Sequence, residues 1–175
     1  MDKVSYESVR DTIKDGDLLF VHGNWTWKHP IQAIIMAATG SSLYHVGICF
    51  WMNTADTPRL MMVESHGGSN RRILNASFYD DHKVSVLPAP KPWSKEVCDV
   101  ALAKVGKEDY GYMDAIYVGF RDFMLQHFSV HLPERHFDDE ICSEFVANVY
   151  DLPQKAISPK DLWAMLTNTS DFQQQ

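Results

Sequence analysis

The apolar and polar positions of this chain divide it into a strand-rich first half and a helical second half. Residues Ser5 to Ile13 suit a short entry helix. Asp17 to Val21 (DLLFV) is a short apolar strand following the Asp15-Gly16 turn. Pro30 to Ala38 reads as a helix, with proline in its first turn and Gly40 past its end. Its apolar residues run nearly all round, which predicts deep burial. Tyr44 to Trp51 alternates His45, Gly47 and Cys49 against Tyr44, Val46, Ile48 and Phe50, the period of a strand. Leu60 to Ser65 is a second strand, and the turn-like MNTADTP between them predicts an antiparallel hairpin. Lys83 to Leu87 is a further strand, stopped by the proline-rich corner Pro88 to Pro92.

Helical patterns follow over Ser94 to Val105, closed by Gly106, over Tyr112 to His127, and over Glu140 to Tyr150. The last of these sets Ile141, Phe145, Val146 and Val149 on one side. Ser158 caps a final helix, with Pro159 in its first turn and Asp161 as the reciprocal partner. Strands followed by helices on one small sheet predict an α+β fold.

The chain has 175 residues, which suits one domain, assigned to residues 1–167 with a polar tail over 168–175. Hydrophobic residues make up 45% and charged residues 22%, so the bulk of the chain is expected to fold. The formal net charge is −7, and the densest basic group is only Arg71-Arg72. Nucleic-acid and anionic-membrane partners are therefore disfavoured. The three cysteines, Cys49, Cys98 and Cys142, are widely spaced and form no CxxC. Neither a disulfide framework nor a zinc site is expected. The N-terminal residues lack an apolar signal region, and no run approaches a bilayer span, so a cytoplasmic location is expected.

Chemistry concentrates at Cys142. Asp139 reads as a helix N-cap, which places Cys142 in the first turn, beside unpaired N–H groups and the positive dipole end. That position favours thiolate, the nucleophilic form, and supplies donors for an oxyanion. The opposing reading is a buried structural cysteine, and Asp138, Asp139 and Glu140 oppose thiolate formation. His45 shares a strand face with Gly47, which leaves room above the ring. If the hairpin pairs symmetrically about Asn53–Asp56, Glu64 lies directly opposite His45 and can orient it. A one-residue slip would separate them. Nucleophile, base and orienter are the parts that covalent thiol catalysis needs. Cys49 and Cys98 read as structural. His127, His131 and His136 are dense but lack metal-ligand spacing, and no metal is expected. His66 reads as a loop residue, with a substrate-side role as its alternative.

The segments DGDLLF, TGSSLYHVGICF, MMVESHGG, EICSEFVANVY and ISPKDL, in this order, resemble the circularly permuted NlpC/P60 group, the YiiX-like papain-fold hydrolases. The resemblance covers roughly Asp15 to Leu162. It implies a papain-like fold with the histidine strand before the cysteine helix. It also implies Cys142 as nucleophile, His45 as base, Glu64 as orienter, and no cofactor. Backbone N–H groups near Ser143 would hold the oxyanion. Tyr44 and His66 are candidates to line the site, although strict alternation turns Tyr44 to the face opposite His45. Asp17 reads as a turn and strand-start residue. The resemblance implies amide hydrolysis, with peptidoglycan stem peptides as the leading substrate class; a cytoplasmic chain would then need a lysis system, as in a phage, or a partner to deliver it. A lipid or protein thioesterase or acyltransferase on the same triad is the alternative, and a binding module that kept the fold is the non-enzyme one. The aromatic, histidine-rich segment Asp109 to Arg135 matches no family motif; it reads as a cover or shaper of the substrate pocket.

Overall fold

The computed structural model describes residues 2–23, 30–54, 57–66, 69–103, 105–106, 121, 124–125, 129–131, 141–153 and 158–168. The fold is α+β. Its strands are β1 (Val4–Ser5), β2 (Leu18–His22), β3 (Leu43–Thr54), β4 (Thr57–His66), β5 (Ser69–Asn75) and β6 (Lys83–Leu87). They form one antiparallel sheet in the order β1-β6-β2-β3-β4-β5. The helices are α1 (Tyr6–Val9), α2 (Pro30–Thr39), α3 (Lys95–Leu102), α4 (Cys142–Val149) and α5 (Pro159–Asn168).

β2 is buried throughout and lies between β3 and β6, which is why it reads as an unbroken apolar run. Its residues feed two cores. Leu18 and Phe20 join Val46, Ile48, Val63, Phe145, Val146 and Leu162 in the core beneath α4 and α5. Leu19 and Val21 join Cys49, Leu60, Met62, Val84, Tyr6 and Tyr79 in the other. Phe145 and Val146 are fully buried. Side chains of this size contribute roughly 1.5–3 kcal/mol each when removed from water, so α4 is anchored against β3 and β4 by its apolar side.

Several elements depart from the sequence expectation. The entry helix is only α1 plus a 3₁₀ turn at Arg10–Thr12. Among the described side chains of α2, Gln32, Met36 and Thr39 are buried while Ala37 is exposed, which interrupts the burial expected nearly all round. β5 was not expected as a strand. α3 is capped by the Ser94 hydroxyl, which accepts from Val97 N–H at 3.3 Å. α4 starts two residues later than Glu140: its N-cap is Ile141, whose N–H donates to Glu144 Oε2 at 3.1 Å. Asp138, Asp139 and Glu140 lie outside the described residues, as do nearly all of the expected helix over Tyr112 to His127 and residues 169–175 of the tail expected over 168–175; Asn168 instead belongs to α5. In α5, the Ser158 hydroxyl accepts from Asp161 N–H at 3.2 Å, the cap expected there, and donates to Asp161 Oδ2 at 2.6 Å, so Asp161 reaches back to the hydroxyl. Asp17 takes a structural part: its carboxylate accepts from Lys14 N–H at 2.8 Å and Ala89 N–H at 3.1 Å.

Candidate active site

The site begins with a hairpin whose register differs from the symmetric expectation by two residues. Ile48 lies opposite Val63 rather than Met61, and pairing runs on to Thr54 opposite Thr57. Extending that register sets Gly47, not His45, opposite Glu64. A shift of two preserves the face of every side chain, so His45 and Glu64 remain diagonal neighbours on one face. The His45 ring bridges the diagonal, with Nε2 2.8 Å from Glu64 Oε2. The space over Gly47 does not serve the imidazole. Met62 fills it, and a Cβ at Gly47 would come within 2.7 Å of Met62 Cε and 2.8 Å of Met62 Cγ.

A bulge beside His45 sets the other contacts. Val21 pairs His45 and His22 pairs Leu43, which leaves Tyr44 as the extra residue. The extra residue breaks the alternation that would carry Tyr44 to the far side. Its half-buried ring lies 6.0 Å, centroid to centroid, from His45. Burial first, then the charges of Glu64 and Cys142, push the Tyr44 phenol up, so it stays protonated. The bulge also carries a separate buried row. His22 lies between Ser42 Oγ, 2.7 Å from Nδ1, and Ser85 Oγ, 2.8 Å from Nε2. The Ser85 hydroxyl donates to the Asp2 carbonyl at 2.8 Å.

Cys142 is the first residue of α4, and it neighbours the His45 imidazole closely enough to raise the ring's affinity for protons. Cys142, His45 and Glu64 are all buried, the carboxylate completely. His45 neighbours both cores: Cys142 belongs to the one beneath α4, and Tyr79, whose ring is 5.8 Å from the imidazole, to the other. Since Nε2 faces Glu64, Nδ1 is the ring nitrogen available to the sulfur. Burial pushes the imidazole down, but the Glu64 charge and the charge and hydrogen bond of Cys142 reverse this, carrying His45 up to about 10. Charge and hydrogen bonding together therefore outweigh desolvation at this ring.

The carboxylate is held by more than the histidine. Tyr79 Oη donates to Glu64 Oε2 at 2.8 Å, and Arg72 Nε donates to Oε1 at 2.8 Å. Arg72 Nη2 is also 2.8 Å from Oε1 but is not aligned for a hydrogen bond, so it contributes charge. Arg72 sits directly opposite Glu64 in the β4–β5 register. Sequence reading missed Tyr79 and Arg72 as site residues. Arg72 was visible only as half of the basic pair, because β5 (SNRRILN) lacks a clean alternation. Tyr79 lies on a 3₁₀ turn, Ala76–Tyr79, that carries no motif.

The remaining sequence candidates fall as follows. Ser143 is fully buried on α4. His66 belongs to the end of β4, paired with Ser69, and not to a loop. The strand runs two residues past Glu64 because β5 continues the ladder through a register shift. Cys49 is fully buried in the second core, and Cys98 is half-buried on α3. Burial above all, then Asp17 and Glu64, push the Cys49 thiol up. His131 is exposed, and His127 and His136 lie outside the described residues. Among the described residues, no group of three or more His, Cys, Asp or Glu is placed to hold a metal ion. Among them, too, no helix is long and apolar enough to cross a membrane. No protein-family model matches the chain, and a search of curated proteins finds no match.

Proposed function

We propose that the chain is a cysteine hydrolase that cleaves amide bonds through an acyl-enzyme, on a papain-like fold of the circularly permuted NlpC/P60 kind. The observation that carries this reading is the buried row Cys142–His45–Glu64, contributed by α4, β3 and β4, with His45 hydrogen-bonded to Glu64 and Cys142 beside the ring. The order of its members along the chain, histidine before cysteine, is the order a permuted papain-like chain would have.

In this reading His45, whose affinity for protons is raised, takes the Cys142 proton as the base. The sulfur attacks the carbonyl carbon. First-turn N–H groups of α4, beginning with that of Cys142 itself, hold the oxyanion. The carbon–nitrogen bond breaks as imidazolium protonates the leaving amine. Neutral His45 then takes a proton from water, hydroxide adds to the thioester, and the acid leaves with the sulfur restored as thiolate. Glu64 keeps Nε2–H directed toward itself throughout, so Nδ1 is always the working nitrogen. Peptidoglycan stem peptides, or a related isopeptide, are the proposed substrate class. In a cytoplasmic setting a lysis system or partner would bring the enzyme to them.

The test is Cys142→Ala beside the parent chain on peptidoglycan fragments, isopeptides and acyl esters. Amide cleavage by the parent alone is the expected result. Cleavage that survives in the variant overturns the mechanism, and fatty-acid release without amide cleavage replaces the substrate class with an acyl ester.

A further inference from the structure

The His22 row shares no member with Cys142–His45–Glu64, and its hydrogens follow from its partners. The Ser85 hydroxyl gives its one hydrogen to the Asp2 carbonyl, so toward the ring it can only accept. Nε2 therefore carries a proton and donates to Ser85 Oγ at 2.8 Å, and Nδ1 of the neutral ring accepts from the Ser42 hydroxyl at 2.7 Å. The donors run in one direction, Ser42 to His22 to Ser85 to Asp2, and end on the backbone just before β1. Neither ring nitrogen meets a carboxylate, and His22 is only 2% exposed.

We infer that residues 2–5 are a strap that acid releases: a proton on His22 unlatches Asp2 and β1 from β6 while the rest of the sheet stays paired. The proton would place a cation in a buried site bonded to two hydroxyls and no anion, which is costly. Lys3, just before β1, adds repulsion; burial first, and then that charge, hold His22 down at about 4. Among the described residues, the other groups that face the ring are Asp2 through its carbonyl, Lys83 and Ser85 from β6, and Ser42 and Leu43 from β3. From α2, Gln32 and Met36 lie against the adjoining Gly23, and neither titrates. The Asp2 and Lys83 side chains are exposed.

The two ends of the row are unequally closed. At Ser42 the ring is shut in by α2 and by the β2–β3 ladder, where Gly23 N–H donates to the Ser42 carbonyl at 2.8 Å. At Ser85 the cover is β1, an edge strand of two residues, with Val4 paired to Val84 and Ser5 to Lys83. Lifting it admits water to Ser85 and Nε2 and carries Lys3 away, so opening at this end is the cheaper relief. Tyr6, buried in the second core, stops the opening at the start of α1. Folding lowers this histidine, so the strap is fully held above pH 6.5 and loosens as pH falls toward about 4.

The experiment is hydrogen exchange of the whole chain at pH 7 and pH 5, resolved to single amides by NMR and corrected for the intrinsic pH dependence of exchange. Protection of the β1 amides should fall at least about tenfold between the two, with about twentyfold as the ceiling set by 6.5 and about 4. Amides of β2, β3 and α4 should keep theirs. His22→Gln, which offers a donor and an acceptor but does not titrate, should abolish the response. Ser85→Ala, which cuts the bond to Asp2, should lower β1 protection already at pH 7. A parent chain whose β1 is equally protected at both pH values overturns the inference, and so does a loss centred on Ser42 and α2 or spread over the whole sheet. A folded His22→Gln chain with the parent's response also overturns it. If His22→Gln does not fold, the parent and Ser85→Ala decide: unchanged β1 protection in Ser85→Ala at pH 7 refutes the latch.

Discussion

Replacing Glu64 with glutamine changes one atom and one charge, and the surrounding donors dictate the outcome. Three donors converge on the carboxylate: His45 Nε2–H and Tyr79 O–H at Oε2, and Arg72 Nε–H at Oε1. Glutamine offers one acceptor oxygen and one NH₂. Arginine never accepts, so the amide oxygen must face Arg72 and the NH₂ must face Nε2 and the Tyr79 oxygen. The Tyr79 hydroxyl can rotate to accept. His45 can accept only with Nε2 unprotonated, which fixes a neutral ring with its proton on Nδ1. That tautomer cannot take the Cys142 proton. If the chain is the hydrolase proposed above, amide cleavage should fall about 10³–10⁴-fold, the scale for a base held in the wrong tautomer. His45 should also drop from about 10 to below its ordinary 6.5, because burial remains while the main upward influence is gone. Breaking a buried ion pair costs about 3–5 kcal/mol when a charge is stranded. Here the imidazole becomes neutral and Arg72 retains partial access to water, so about 2 kcal/mol is expected from denaturation. Imidazole NMR titration, cleavage rate and urea unfolding read the three effects. A folded Glu64→Gln protein whose His45 still titrates near 10, or whose cleavage rate equals the parent's, would refute the argument.

Two further predictions concern stability. Because His45 is raised from 6.5 to about 10 in the folded chain, the stability it contributes is whole below pH 6.5 and is lost as pH rises through 10. The parent's unfolding free energy should therefore fall between pH 7 and 10 more steeply than that of His45→Gln in urea denaturation, by an amount on the order of a few kcal/mol; parallel curves would contradict this. Gly47→Ala drives a methyl into fully buried Met62, whose Cγ cannot swing clear as its tip can. It should cost about 1–3 kcal/mol in chemical denaturation, and unchanged stability would mean that the second core repacks freely.

Part of the site was legible because it is encoded locally. Alternation over Tyr44 to Trp51 fixes the face of His45, and a two-residue slip cannot change it, so the pairing with Glu64 survived a wrong register. The apolar side of α4 set a helix start near Cys142, although its cap is Ile141 and not Asp139. Tyr44 was misplaced because a bulge depends on how both faces of β2 and β3 pack, which alternation alone does not describe.

The sequence by itself singled out Cys142, His45 and Glu64 as candidates, and for His45 and Glu64 the side of the strand they occupy, because side-chain direction follows from backbone period. It determined the ends of α5 and β6 in the same way, through a hydroxyl cap and a proline corner. Only the tertiary structure decided that the first turn of α4 meets His45, that β5 exists, and that Arg72 and Tyr79 close around Glu64. The first of these joins segments far apart in the chain; Arg72 and Tyr79 lie only 8 and 15 residues from Glu64, but on elements with no legible pattern. Their geometry comes from where buried faces dock, a property of the whole core and not of any one stretch of residues.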